Sequence, residues 1–157
     1  MTGEFFEYNN PKVERVISGH GAIRKLSQEV ERLGGSRALI VTSPSVVRSD
    51  IFNGLREGLG SRYVGSFDRV RPHSPTEVIE EAAEEFRKSN ADVLVSVGGG
   101  SAIDTAKGVA VLLAEGGPLT RFGVRFTPPN RKEAPELPRL KLPHLAVPTT
   151  LSGGEYS

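Results

Sequence analysis

Gly98-Gly99-Gly100-Ser101 lies between a short apolar run, Val93-Leu94-Val95-Ser96-Val97, and a helical pattern that continues to Leu113. Glycines let a backbone turn sharply and approach a ligand closely. The first free N–H groups of the following helix, with its positive dipole end, point at whatever sits there. This is the layout of a diphosphate cradle, and an anionic guest is expected. Ser101 with Asp104 three residues later has capping-box spacing, which predicts a helix opening at Ser101. Ile103, Ala106, Ala110 and Leu113 recur at helical spacing and give that helix one buried face. Lys107, one turn beyond Asp104, supplies a cation near the phosphate site.

Other chemistries fit the residues less well. The dinucleotide fingerprint G-x-G-x-x-G/A fails at Ile103, and no Walker pattern is present. No Gly-x-Ser-x-Gly elbow marks a Ser-His-Asp triad. Glu80-Glu81 and Glu84-Glu85 fall on the outer side of an amphipathic helix and read as a solvated face. His20, His73 and His144 are scattered, with no pair at a spacing that puts two ligands on one helix face, and there is no cysteine, so no metal site is expected.

A second motif closes the sequence. Another short apolar run, from His144 to Val147, opens onto Pro148-Thr149-Thr150-Leu151-Ser152-Gly153-Gly154-Glu155. Gly-Gly-Gly-Ser-x-x-Asp-Thr-x-Lys followed by strand-Pro-Thr-Thr resembles the iron-containing (group III) alcohol dehydrogenase family, which includes maleylacetate reductases and glycerol dehydrogenases. The resemblance also takes in Gly19-His20-Gly21-Ala22, Leu39-Ile40-Val41-Thr42 and Ser74-Pro75-Thr76. The interval from Thr149-Thr150 to Glu155 is nearer the maleylacetate reductases, whereas Ser101-Ala102-Ile103-Asp104 is of the alcohol dehydrogenase kind.

The resemblance implies that Gly98, Gly99, Gly100 and Ser101 hold the diphosphate of NAD or NADP, with Asp104 and Lys107 beside them. It further implies that Thr149, Thr150 and Ser152 line the cleft towards the ribose and nicotinamide. The implied function is hydride transfer between the nicotinamide and an alcohol or carbonyl substrate. The family's metal ligands, for Fe or Zn, belong to a helical second domain that follows the Pro-Thr-Thr segment. Residues 1–157 are therefore expected to be a nucleotide-binding domain only, inactive alone. Ser43 stands where NAD-selective members carry an Asp, so NADP should be tolerated. Two alternatives remain open: a dehydroquinate synthase-like or glycerol-1-phosphate dehydrogenase-like enzyme, and a non-catalytic nucleotide-binding module or split subunit whose partner chain carries the helical domain.

Several elements must position these residues. Strand-like runs at residues 13–17, 38–41, 63–67, 93–97 and 144–147 alternate with helical patterns at 22–33 and 46–59 and with one opened by Ser74-Pro75-Thr76-Glu77 as N-cap, first-turn proline and capping Glu. Val78, Ile79, Ala82, Ala83 and Phe86 give this last helix its inner face, and Ser89-Asn90 ends it. Uniformly apolar strands alternating with helices predict an α/β fold, a Rossmann-like and mainly parallel sheet with helices on both faces; the family resemblance implies that it is of the dehydroquinate synthase N-terminal type. Ligands of such sheets sit at the carboxyl ends of the strands, where both motifs fall. Residues 118–143 hold six of the 11 prolines and should form an irregular excursion.

Composition narrows the field further. The chain has 157 residues, enough for one core, with 20 Lys and Arg against 19 Asp and Glu. No basic run marks a nucleic-acid partner. No apolar run approaches the length of a membrane span, and residues 1–10 are polar and acidic rather than a leader. The expectation is a cytoplasmic homo-oligomer.

Overall fold

The computed structural model describes residues 13–156. At its centre is a four-stranded parallel sheet in the order β2-β1-β3-β6, formed by β1 (Ala38–Thr42), β2 (Tyr63–Phe67), β3 (Val93–Gly98) and β6 (His144–Pro148). Five helices belong to the same unit: α1 (Leu26–Arg32), α2 (Pro44–Val47), α3 (Asp50–Leu59), α4 (Thr76–Lys88) and α5 (Gly100–Glu115). The fold is α/β, as the alternating pattern predicts.

Side-chain alternation along the central strands divides the core in two. Leu39, Val41 and Leu94 pack with α4 and α5 on one face. Ala38, Ile40, Val93, Val95 and Val97 pack with α1 and α3 on the other. Residues buried on both sides of a sheet must be apolar at every position, and this explains the unbroken Ala-Leu-Ile-Val run of β1. Each large aliphatic side chain so buried contributes about 2 kcal/mol.

Chain direction matters for the site. From β1 the chain crosses by α2 and α3 to β2, then returns past β1 by α4 to β3, so the winding reverses between β1 and β3. In an open parallel sheet that reversal leaves a crevice beyond the carboxyl ends of the two strands. Thr42 and Gly98 end the strands on either side of it.

Several local expectations are corrected. Residues 13–17 form no strand; Val13, Val16 and Ile17 are exposed, and Arg15 is tied to Glu29 at 3.1 Å instead. Among the described residues no strand pairs with this run. The helix expected over 46–59 breaks at Arg48-Ser49 into α2 and α3, with Pro44 opening the first piece. In α4, Thr76 is the first helical residue and Pro75 the N-cap, because Ser74 has φ 46° and sends its hydroxyl elsewhere. His73 and Ser74 both lie in the left-handed region, at a cost on the order of 1–3 kcal/mol each.

The excursion before β6 is not wholly irregular. It contains a 3-10 turn, Leu119–Phe122, and an exposed antiparallel hairpin of β4 (Arg125–Thr127) and β5 (Arg131–Glu133). It returns to the body through Arg139 and Lys141, which hydrogen-bond to the Glu115 carboxylate. The polar opening, residues 1–10, lies outside the described residues. Among the described residues no helix is long and apolar enough to cross a membrane.

Candidate functional site

β3 delivers its backbone to Gly98, whose φ of 146° is one that residues with a Cβ rarely adopt. A Cβ at Gly98 would also lie 2.9 Å from that of Ala102. The chain thereby turns from strand into helix within two residues. α5 begins at Gly100 with Gly99 as its N-cap, and no side chain caps it. This corrects the expected capping box: Ser101 is already the second helical residue, and Asp104 pairs with Lys107 at 3.2 Å. The Ala102 and Ile103 amides bond back to the Gly99 carbonyl, while the Gly100 and Ser101 amides have no acceptor among the described residues. Two donors at the positive end of a 16-residue helix are left open beside the crevice.

The second motif forms the opposite lip. The Thr149 amide extends the β3–β6 ladder by donating to the Gly98 carbonyl at 2.9 Å. Thr150 then folds over the glycines so closely that a Cβ at Gly99 would lie 3.0 Å from its hydroxyl oxygen, and one at Gly100 would lie 3.4 Å from the Ser152 Cβ. Thr149, Thr150 and Ser152 are exposed, and the sharp turn at Gly153, φ 70°, closes the loop. Residues just over fifty positions apart thus meet across one narrow gap.

Lys107 is placed differently from the sequence expectation. Its ammonium donates to the Gly154 carbonyl at 2.9 Å and pairs with Asp104. It ties the second lip to α5, one turn and more behind the open amides. Ser43 sits on the far side of the crevice as the N-cap residue of α2, half-buried, with its hydroxyl 2.9 Å from that of Ser45. Arg48, at the end of α2, is exposed.

Sequence reasoning missed three contributors. Thr42 is completely buried, and its hydroxyl donates to the Val97 carbonyl at 2.7 Å, clamping the ends of β1 and β3 together. Ser74 reaches the first turn of α5, donating to the Ser101 carbonyl at 2.9 Å. His144 is held by Ser96, Nε2 to hydroxyl 2.7 Å; burial and then the Lys107 charge lower its pKa to about 4, so the ring is neutral at ordinary pH. Thr42 and Ser96 were legible as single polar residues inside otherwise apolar strands. Nothing in the sequence pointed to the partner of Ser74. Among the described residues no three His, Cys, Asp or Glu side chains come together to hold a metal.

A parallel sheet with its winding reversed at β1/β3, a glycine-headed helix at the reversal and a Pro-Thr-Thr strand end facing it together define an open α/β domain with a crevice at the carboxyl ends of β1 and β3. The family profile described as iron-containing alcohol dehydrogenase matches residues 13–157, and the chain belongs to that family. It is 32% identical over 145 residues to sulfoacetaldehyde reductase of Bilophila wadsworthia, covering 90% of this chain and 35% of that protein. It is 36% identical over 135 residues to 4-hydroxybutyrate dehydrogenase of Cupriavidus necator, covering 85% and 34%. Among solved structures, a 1,3-propanediol oxidoreductase superposes with a TM-score of 0.75 at 26% identity, covering 94% of this chain and 36% of the other. The sulfoacetaldehyde reductase of Bifidobacterium kashiwanohense, solved in complex with NAD+, shares the fold, with a TM-score of 0.77 at 23% identity over 99% and 39% of the two chains. The chain spans about a third of the length of the curated relatives it matches.

Proposed function

We propose that residues 1–157 are the nucleotide-binding domain of an NAD(P)-dependent alcohol dehydrogenase or carbonyl reductase, with the dinucleotide lying across the crevice at the carboxyl ends of β1 and β3. The observation that carries this reading is the amide end of α5, open at the reversal of the sheet, with Thr150 and Ser152 so near that a Cβ at Gly99 or Gly100 would lie 3.0 or 3.4 Å from them. Helix amides and dipole favour a diphosphate, and the glycines let the Thr150–Ser152 lip come close beside it. The roles follow from position. Gly98 turns the chain, Gly99, Gly100 and Ser101 present the backbone to the diphosphate, and Thr149, Thr150 and Ser152 line the far lip towards the ribose and nicotinamide. Lys107 and Asp104 hold that lip in place. The nicotinamide, when bound, supplies the hydride chemistry; this domain orients it and keeps it against the second lip.

Cofactor choice is assigned to Ser43. A carboxylate after β1 would accept hydrogen bonds from ribose hydroxyls and repel a 2'-phosphate; a serine does neither strongly. NADP(H) is accordingly accepted about as well as NAD(H). The substrate is a small alcohol or carbonyl compound, and most of what recognises it belongs to the two thirds of the relatives that this chain does not match.

Isothermal titration calorimetry of the chain with NAD+, NADP+ and ADP tests the reading. Binding of all three, with ADP displaced by NAD+, is expected. A folded chain that binds none of them would refute it. Discrimination against NADP+ by more than roughly tenfold, about 1.4 kcal/mol, would refute the cofactor assignment alone.

A further inference from the structure

The segment between β2 and α4 does more than connect them. After Phe67 it runs across the carboxyl end of β1, where the Val70 amide donates to the Thr42 carbonyl at 3.2 Å and the Val70 side chain is buried with the α4/α5 core. It then turns at Arg71, whose carbonyl accepts from the Ser74 amide at 3.3 Å and whose guanidinium pairs with Glu77 at 2.8 Å. It ends where the Ser74 hydroxyl donates to the Ser101 carbonyl at 2.9 Å. The segment is therefore a strap fastened at one end to β1 and at the other to the first turn of α5.

The second fastening is made under strain. His73 and Ser74 are consecutive non-glycine residues at φ 63° and 46°, a conformation that survives only where the surroundings impose it. In a loop free to relax, neither residue would stay there. Glycine or asparagine would relieve the backbone at once, yet serine brings a short hydroxyl that reaches the helix. The carbonyl it holds belongs to Ser101, whose amide is one of the two open donors of the cradle.

We infer that Ser74 is a positioning residue for the diphosphate cradle: its hydroxyl fixes the first turn of α5 relative to the end of β1, and dinucleotide affinity depends on it although it touches no ligand. The inference rests on the dinucleotide reading above. The strap holds the open amides of Gly100 and Ser101 at a set distance from the crevice before the ligand arrives, so less order has to be gained on binding. Ser43, at the end of β1, and the cradle, at the end of β3, are thereby kept in one frame by a segment belonging to neither.

Ser74→Gly separates this role from ordinary stabilisation, because it removes the hydroxyl while relieving the left-handed strain. The expected result is a melting temperature equal to or above that of the wild type, together with affinities for NAD+ and ADP that each fall about threefold to tenfold in calorimetry. Ser74→Asn, which tolerates the same backbone and carries an amide donor, should recover part of the loss. NAD+ affinity of Ser74→Gly within twofold of the wild type overturns the inference, as does a parallel fall of melting temperature and affinity. A wild type that binds neither NAD+ nor ADP refutes the dinucleotide reading instead. Hydrogen exchange in the ligand-free chain then still decides the positioning role. Ser74→Gly must speed exchange of amides 102–105 and leave the central strands unchanged, and unchanged rates at 102–105 overturn it.

Discussion

At the amino end of β3, the backbone amides of Ser36 and Arg37 and the Ser36 hydroxyl all donate to the Asp92 carboxylate, at 2.8 to 3.0 Å. Arg37 in turn donates to the Ser89 and Asn90 carbonyls, closing that end of the sheet. Six residues later, at the carboxyl end of the same strand, the Gly100 and Ser101 amides have no acceptor among the described residues and no side chain caps the helix. Both ends present backbone donors; one carries its own anion and the other leaves the place open. None of the five α-helices among the described residues has a side-chain cap, so what sets the start of α5 apart is its place at the reversal of the sheet, between the glycine turn and the Thr150–Ser152 lip.

The largest effect is expected from emptying the filled end. Asp92→Ala leaves two amides and a hydroxyl without their charged acceptor and should lower stability by about 2–3 kcal/mol in urea unfolding, with NAD+ affinity unchanged in the folded fraction. Burial pushes the Asp92 carboxyl up, but the Arg37 and Ser36 donors outweigh it and hold it below the usual value of 3.8. A depressed carboxylate stabilises above its unfolded pKa, so this contribution is present above about pH 4 and fades as pH falls through the folded value. Asp92→Asn should flatten that acid limb.

His144 gives a second pH limb of different origin. With a folded pKa of about 4 against an ordinary 6.5, the ring is neutral in both states above pH 6.5. Below that the unfolded chain takes up a proton that the folded chain refuses. Stability should therefore fall by about 2 kcal/mol between pH 6.5 and 4, and His144→Gln should remove this slope while leaving the Asp92 limb.

The open end is tested by narrowing it. Gly99→Ala places a Cβ 3.0 Å from the Thr150 hydroxyl oxygen, so the Thr150 side chain must shift at the mouth of the crevice. NAD+ affinity should drop at least about tenfold, equivalent to 1.4 kcal/mol. Unchanged affinity would mean that the two lips do not act together. The smallest effect is expected from Ser43→Asp: a shift of about fivefold in the NAD+ to NADP+ preference towards NAD+, read from paired titrations, with stability unaffected.

Central elements were legible and peripheral ones less so, for a physical reason. β1 and β3 are buried on both faces, so each position is constrained towards apolar residues and the runs at 38–41 and 93–97 read directly as strands. The inner face of α4 was readable because Val78, Ile79, Ala82, Ala83 and Phe86 all meet one core. Helix starts were misread at Ser74 and Ser101, since a capping pattern states what a side chain can do locally and not whether a distant carbonyl or a preceding glycine takes precedence. Residues 13–17 carry a strand pattern for which no pairing strand lies among the described residues. The hairpin at 125–133 is fully exposed and carries no burial signal. Of the candidate site, both lips were readable from their glycines and hydroxyls, whereas the Lys107 contact with Gly154 joins positions whose proximity only the fold creates.

Gly108 lies midway along α5, against α4, where a Cβ would sit 2.7 Å from the Ile79 Cδ1 atom. A glycine inside a helix costs about 1 kcal/mol relative to alanine, so its presence marks a contact that needs the missing methyl. Gly108 lies about 12 Å from the open amides at 1.5 Å per residue. A methyl added there has to displace the end of the Ile79 side chain, so the close approach of α4 and α5 depends on a residue of the apolar core about two helical turns from the cradle.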